Sequence, residues 1–167
     1  MPRREQVLAA REIAQDRMRR YKGQMQITFV LPDYFEDVPK ACYGGWGRFY
    51  IVVSPDGKAL PCHGAYAIPS LQLPSVMDHS IGWIWRESTA FQAYRGDAWM
   101  KEPCRSCPRK ATDFGGCRCQ AMALTGDAAN ADPVCTLSPS RGLIDEALRE
   151  HAGADSYSYR DFAVEPR

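Results

Sequence analysis

The sequence predicts an α+β domain with few helices, one β-hairpin and long loops that a bound metal must fix. Three observations carry this. Helical periodicity is confined to residues 5–21, 80–95 and a stretch beginning at Ser138-Pro139. Strand-like runs bounded by turn residues occur only at Met25–Pro32 and around "FYIVVSPDGKALPC". Between residues 96 and 137 neither pattern appears, yet four of the seven cysteines lie there in "PCRSCPRKATDFGGCRCQ". So little regular structure in 167 residues leaves those loops to be ordered by something other than a large core.

Each element has its own signature. Val7, Ala10, Ile13, Ala14, Met18 and Tyr21 recur at helical spacing, and Gly23 is a stop. The basic residues around them (Arg3, Arg4, Arg11, Arg17, Arg19, Arg20 and Lys22) read as a solvated face. "MQITFVLP" is a β-branched and aromatic run closed by Pro32. The hairpin pairs Phe49–Val53 with a short second strand across Pro55-Asp56-Gly57. In the second helix Ile81, Ile84, Trp85, Phe91 and Tyr94 form the apolar face, capped by Ser80 or Asp78. The final helix is predicted to bury Leu143, Ile144, Ala147 and Leu148. Residues beyond Gly153 read as a flexible tail.

Hydrophobic content of 45% and a net charge of +1 argue against a nucleic-acid or membrane-surface protein. No apolar run reaches the roughly 20 residues a membrane helix needs, and the N-terminus lacks the apolar core of a secretory signal. A cytoplasmic location is the expectation. In that reducing compartment seven cysteines, an odd number, read as metal ligands or catalytic thiols before disulfides.

Two four-ligand centres need eight donors. Cys42, Cys62, Cys104, Cys107, Cys117, Cys119 and Cys135 supply seven. Asp113, inside the densest run, or His63, beside Cys62, is the candidate eighth. Asp113 also reads as a turn residue ahead of Gly115-Gly116. Only one CxxC is present, at Cys104 and Cys107, and this irregular spacing suits iron–sulfur better than zinc. Gly44-Gly45-Trp46-Gly47 and Gly115-Gly116 allow close backbone approach to sulfides. Arg48 and His63 are candidate donors to sulfide or ordinary loop residues. Trp83, Trp85 and Trp99 read as packing, Asp127 and Asp132 as turn residues, and His79 and His151 offer no specific role. No Cys–His pair stands apart as a nucleophile.

The layout Gly57-x4-Cys62, Cys104-x2-Cys107-x5-Asp113-x3-Cys117 and a distant Cys135 resembles the SPASM extension of radical S-adenosylmethionine enzymes that modify peptides. "KACYGGWGRFYIVVSPDGKALPCHGA", "IPSLQL" and "RGDAWMKEPCRSCPRKATDFGGCRCQAMALTGDAANADPVC" carry the resemblance, which runs from about residue 1 to 150. It implies two auxiliary iron–sulfur clusters, 2Fe–2S or 4Fe–4S. Cys42, Cys62, Cys117 and Cys119 would hold the first; Cys104, Cys107, Asp113 and Cys135 would hold the second. Most SPASM modules have cysteine at the Asp113 position, and aspartate there is similar to the branch that makes pyrroloquinoline quinone. That branch crosslinks Glu and Tyr of a precursor peptide, delivered by a peptide-binding chaperone, with a further 4Fe–4S cluster for S-adenosylmethionine.

The catalytic CxxxCxxC loop of that family is absent from these residues. The resemblance therefore implies an electron-transfer module at 32–152, inactive alone, preceded at 1–31 by the last helix and strand of a truncated (β/α) barrel and followed by the tail at 153–167. No nucleic-acid or membrane partner is expected. The competing expectation is a zinc-stabilised interaction module without redox function.

Overall fold

The computed structural model describes residues 4–31 and 33–149. The expected tail, Pro32 and His151 lie outside them. Helix α1 (Arg4–Arg20) matches the first periodic stretch, with Arg17, Arg19 and Arg20 in its last turn, where cations complement the helix dipole. It buries less than its spacing predicts: Val7 is enclosed, whereas Ile13 is 61% exposed. Arg11, Ala14, Gln15 and Met18 share an open groove with Phe29, Val30, Leu31 and Lys40.

The strand expected at Met25–Pro32 does not form. Residues 25–31 have no regular structure, and Val30 is 70% exposed. A strand persists only when a neighbour pairs with it, and among the described residues the one sheet is the hairpin. Lys40 instead donates its ammonium to the carbonyl of Leu31 and, at 2.7 Å, to Asp33.

The hairpin forms where predicted but is shorter. β1 (Val52–Val53) pairs antiparallel with β2 (Ala59–Leu60), Val52 opposite Leu60. Gly57 takes the left-handed turn position at φ 80°. Phe49, expected in the first strand, is 77% exposed. Successive strand residues face opposite sides, and β2 uses this fully. Leu60 enters a core with Trp46, Ala65, Ile68, Cys119 and Ala128, while Ala59 enters a second with Ile84, Ala90 and Phe91. Leu71 and Leu73 pack against both.

The predicted helix at 80–95 is two helices. α2 (Ile81–Glu87) is capped by Ser80, whose Oγ accepts the Trp83 N–H at 3.2 Å. Ser88 breaks it with extended ψ 137° and donates its hydroxyl to the Ile84 carbonyl at 2.7 Å. α3 (Thr89–Gln92) follows and holds Trp46 through its indole N–H, donated to Ala90 O at 2.8 Å.

The stretch from 96 to 137 holds more structure than expected. α4 (Lys110–Asp113) ends at Phe114 in the left-handed conformation, and α5 (Arg118–Thr125) ends at Gly126 likewise. α6 (Arg141–Arg149) starts just after Ser138-Pro139 and buries Ile144, although Leu143 stays 44% exposed. Arg141 anchors it by donating to Val134 O and to Glu36 O at 3.1 Å. No described helix is long and apolar enough to cross a membrane.

Candidate metal centres

Four cysteines converge beside the first core. Cys42 opens a 3-10 turn (Cys42–Gly44) in which Tyr43 is itself left-handed at φ 47°. Cys62 follows β2 and caps the 3-10 helix His63–Ala67, its Sγ accepting the Gly64 N–H at 3.4 Å. Cys117 caps α5 in the same way, accepting from Gln120 N at 3.4 Å. Cys119 lies in the first turn of α5, buried against Gly64, where any Cβ would stand 3.1 Å from its sulfur.

The four sulfurs form a closed ring of contacts. Cys42 meets Cys117 and Cys62, and Cys119 meets the same two. Hydrogen bonds first from Cys119 and then from Cys42 pull the Cys62 thiol down to about 3. The same donors, in the same order, pull Cys117 down to about 2. Cys42 and Cys119 are pushed far up, first by contact with Cys117 and then by contact with Cys62. Four sulfurs in mutual contact form a soft donor set that would exchange its protons for metal.

The second set is built differently. Cys104, Cys107, Asp113 and Cys135 line one small cavity, with Pro39 and Lys110 on its wall. Burial pushes the Cys104 thiol up, and Cys135, Asp113 and Cys107 add to it, while Arg118 opposes them. Cys107 Sγ accepts from Arg109 N at 3.4 Å. Asp113 is 7% exposed and does two things. Its Oδ1 accepts the Gly115 N–H at 3.0 Å, closing the expected turn, and its Oδ2 lies 3.5 Å from Arg109 Nε. Turn residue and cavity lining are therefore one and the same side chain.

The eight expected positions fall into these two sets; His63 enters neither, being exposed and facing the Tyr50 ring at 5.5 Å. Arg48 sits over Phe114 at 5.3 Å. Trp85 packs on Phe91 and Trp83 stacks on His79, in keeping with packing roles. Among the described residues no three of these donors are gathered as a single-ion site.

Three residues escaped the sequence reading. Asp132 is 2% exposed and joins the two sets: its Oδ2 accepts Cys117 N at 2.7 Å, and its Oδ1 accepts Val134 N at 3.0 Å and the Gln120 amide at 2.8 Å. Burial pushes its carboxyl up. The bond from Val134 N is the turn contact expected of Asp132; Asp127 makes the matching one, accepting Ala129 N at 2.8 Å, and pairs with Lys101. Arg118, between Cys117 and Cys119, is 1% exposed. The third is Tyr50, whose hydroxyl is buried and without a partner among the described side chains. Burial pushes its phenol up, and Cys62, the neighbouring Tyr43 and then Cys42 add to the effect. An unpaired O–H beside thiol sulfur suits a centre that adds sulfide acceptors. Only the position of Arg118 between two candidate ligands, visible in the sequence, hinted at any of the three.

Residues 42–108 match the SPASM family model, an iron–sulfur cluster-binding domain. The fold is the α+β arrangement the sequence predicts, and the iron–sulfur family match over part of the chain does not favour the zinc alternative. The full chain is similar to proteins named PqqA peptide cyclase. It is 53% identical to that of Methylorubrum extorquens strain PA1, over 98% of this chain and 43% of the relative. Identity is 51% to that of Bradyrhizobium diazoefficiens, covering 98% and 44%, and 48% to that of Granulibacter bethesdensis, covering 99% and 45%. The chain spans less than half the length of these curated relatives.

Proposed function

We propose that the two sets hold two auxiliary iron–sulfur clusters: Cys42, Cys62, Cys117 and Cys119 the first, and Cys104, Cys107, Asp113 and Cys135 the second. The observation that carries this reading is the partition itself. Eight donors scattered over 94 positions separate into a sulfur ring and a cavity of three thiols and a carboxylate. Such donor sets suit iron–sulfur clusters of either nuclearity.

The module serves electron transfer within an enzyme like the relatives, whose name, PqqA peptide cyclase, makes a peptide the substrate. Joining a Glu and a Tyr side chain by a carbon–carbon bond consumes two C–H bonds and releases electrons, and bound clusters supply acceptors for them. S-adenosylmethionine chemistry belongs to residues outside this chain, which has no CxxxCxxC. A peptide-binding chaperone as the delivering partner, and a reducing cytoplasmic setting, complete the reading. With Oδ1 engaged by Gly115, the hard Oδ2 of Asp113 is the atom that would bind iron, making that bond more exchangeable than a thiolate's.

The test is anaerobic reconstitution of the full chain, with iron and sulfide assays and Mössbauer spectroscopy. Two spectral components are expected, and Asp113→Ala should alter one of them. An unchanged spectrum would remove Asp113 from the ligand set. Stoichiometric zinc in place of iron would overturn the whole reading.

A further inference from the structure

We propose that Arg118 is the shared counter-charge of both metal centres, raising the reduction potential of each. The inference rests on the two-cluster reading above. Arg118 is the largest of the fully buried side chains, yet it is a cation. Buried charges are normally paired. Among the described residues no carboxylate reaches salt-bridge distance of this one.

Its donors go to carbonyls instead. Nη1 donates to Ala128 O at 2.7 Å and Asn130 O at 2.8 Å, Nη2 donates to Gly115 O, and Nε donates to Gly116 O at 3.4 Å. The face of the guanidinium lies over the Trp99 ring, 4.7 Å from its centroid. Carbonyl dipoles and a ring quadrupole solvate a charge without cancelling it. Asp132, an acid within electrostatic reach, accepts its hydrogen bonds from Cys117 N, Val134 N and Gln120 and offsets the Arg118 charge only from beyond ion-pair distance.

The charge, offset only at a distance, faces both sets. Arg118 is within electrostatic reach of Cys104 on the cavity side and of Cys117 and Cys42 in the ring. Its backbone, between Cys117 and Cys119, fixes it to the first set; its carbonyl partners at Gly115 and Gly116 fix it beside Asp113. A cluster gaining one electron gains one negative charge, and a cation held in a low-dielectric interior favours that reduced form. Because one guanidinium serves two centres, their potentials move together.

Arg118 also ties residues 115–116 to residues 128–130, so a purely structural role must be separated from an electrostatic one. Arg118→Met keeps length and loses charge; Arg118→Lys keeps charge and loses the fork of donors. The reconstituted full chain and both variants are titrated with dithionite and followed by EPR, after iron and sulfide assays. Both midpoint potentials should shift negative in Arg118→Met and stay near wild type in Arg118→Lys. Unshifted potentials in Arg118→Met, a shift at one centre alone, or equal shifts in both variants overturn the proposal. So does equal loss of clusters from both, which would make Arg118 a clamp. If Arg118→Met alone loses iron, Arg118→Lys decides, and a shift in either of its potentials overturns the idea. Wild-type protein without iron and sulfide defeats the cluster reading itself, a different result from any of these.

Discussion

The carboxylate of Asp132 accepts the backbone N–H of Cys117 from fifteen residues away, at 2.7 Å. Through this bond the loop leading to Cys135 holds the start of α5, and a segment of the sulfur ring is tied to a segment of the second cavity. Asp132→Ala strips acceptors from three buried or half-buried donors at Cys117, Val134 and Gln120. Each unsatisfied group costs about 1–3 kcal/mol. Urea denaturation of the reconstituted chain should show a loss of that order or more, with Asp132→Asn retaining part of it. Equal stability in all three proteins would show that the clamp contributes nothing.

Gly116 is the other half of the same junction. At φ 80°, a Cβ there would stand 2.5 Å from Asp132 Oδ2 and 2.6 Å from Pro39 Cβ. Gly116→Ala must therefore push the clamp apart, at a cost of about 2 kcal/mol or more. Gly126 has a similar φ of 75° with nothing within 4 Å. Its alanine variant should lose only about 1 kcal/mol, from the backbone alone. Thermal unfolding of the two variants side by side checks the difference.

Leu60→Ala tests the core behind the sulfur ring. Leu60 is 1% exposed and packs in the cluster that includes Trp46, Ala65 and Cys119. Large-to-small changes at such sites cost about 2–5 kcal/mol. Slower reconstitution of the first centre should accompany the lower denaturation midpoint, because Cys62 and Cys119 pack on the same side chains.

Tyr50→Phe removes only the unpartnered hydroxyl beside Cys62 and Cys42. Stability should be unchanged or slightly higher, since a buried unpaired group is lost. If the hydroxyl donates to the first cluster, that cluster's potential should shift negative while the second stays put. A change at the second centre alone would contradict the placement.

Iron removal should act unevenly. Hydrogen exchange after anaerobic chelation should show lost protection across residues 104–135, where short helices and turns surround the donors. Protection should persist in α2 and α3, whose packing against Ala59 and Phe91 involves no ligand. Uniform loss would mean that the two cores fold only together with the metal.

Much of this protein was legible one segment at a time. The turn at Gly57, the Ser80 cap and the helices at residues 4 and 141 follow from local chemistry that needs no distant partner. The candidate donors could be named from the density of cysteine alone, but the choice between Asp113 and His63 could not, because it turns on which side chain shares a cavity with Cys104, Cys107 and Cys135. The strand at Met25–Pro32 misled for the converse reason: its residues favour pairing, but pairing is a property of a neighbour, and none is described beside it. α5 was hidden by its own cysteines, which invited a loop reading although Cys117 and Gly126 cap it at either end.

The sequence by itself determined the seven cysteines, their spacing and the local turns, since these depend on residue type and short spacing. Only the tertiary structure decided that Asp132 is a clamp, that Tyr50 carries an orphan hydroxyl, and that Arg118 lies buried between the two sets. Burial, and which carbonyl or sulfur stands across from a side chain, depend on segments far apart in the chain meeting in space. No local pattern encodes that meeting.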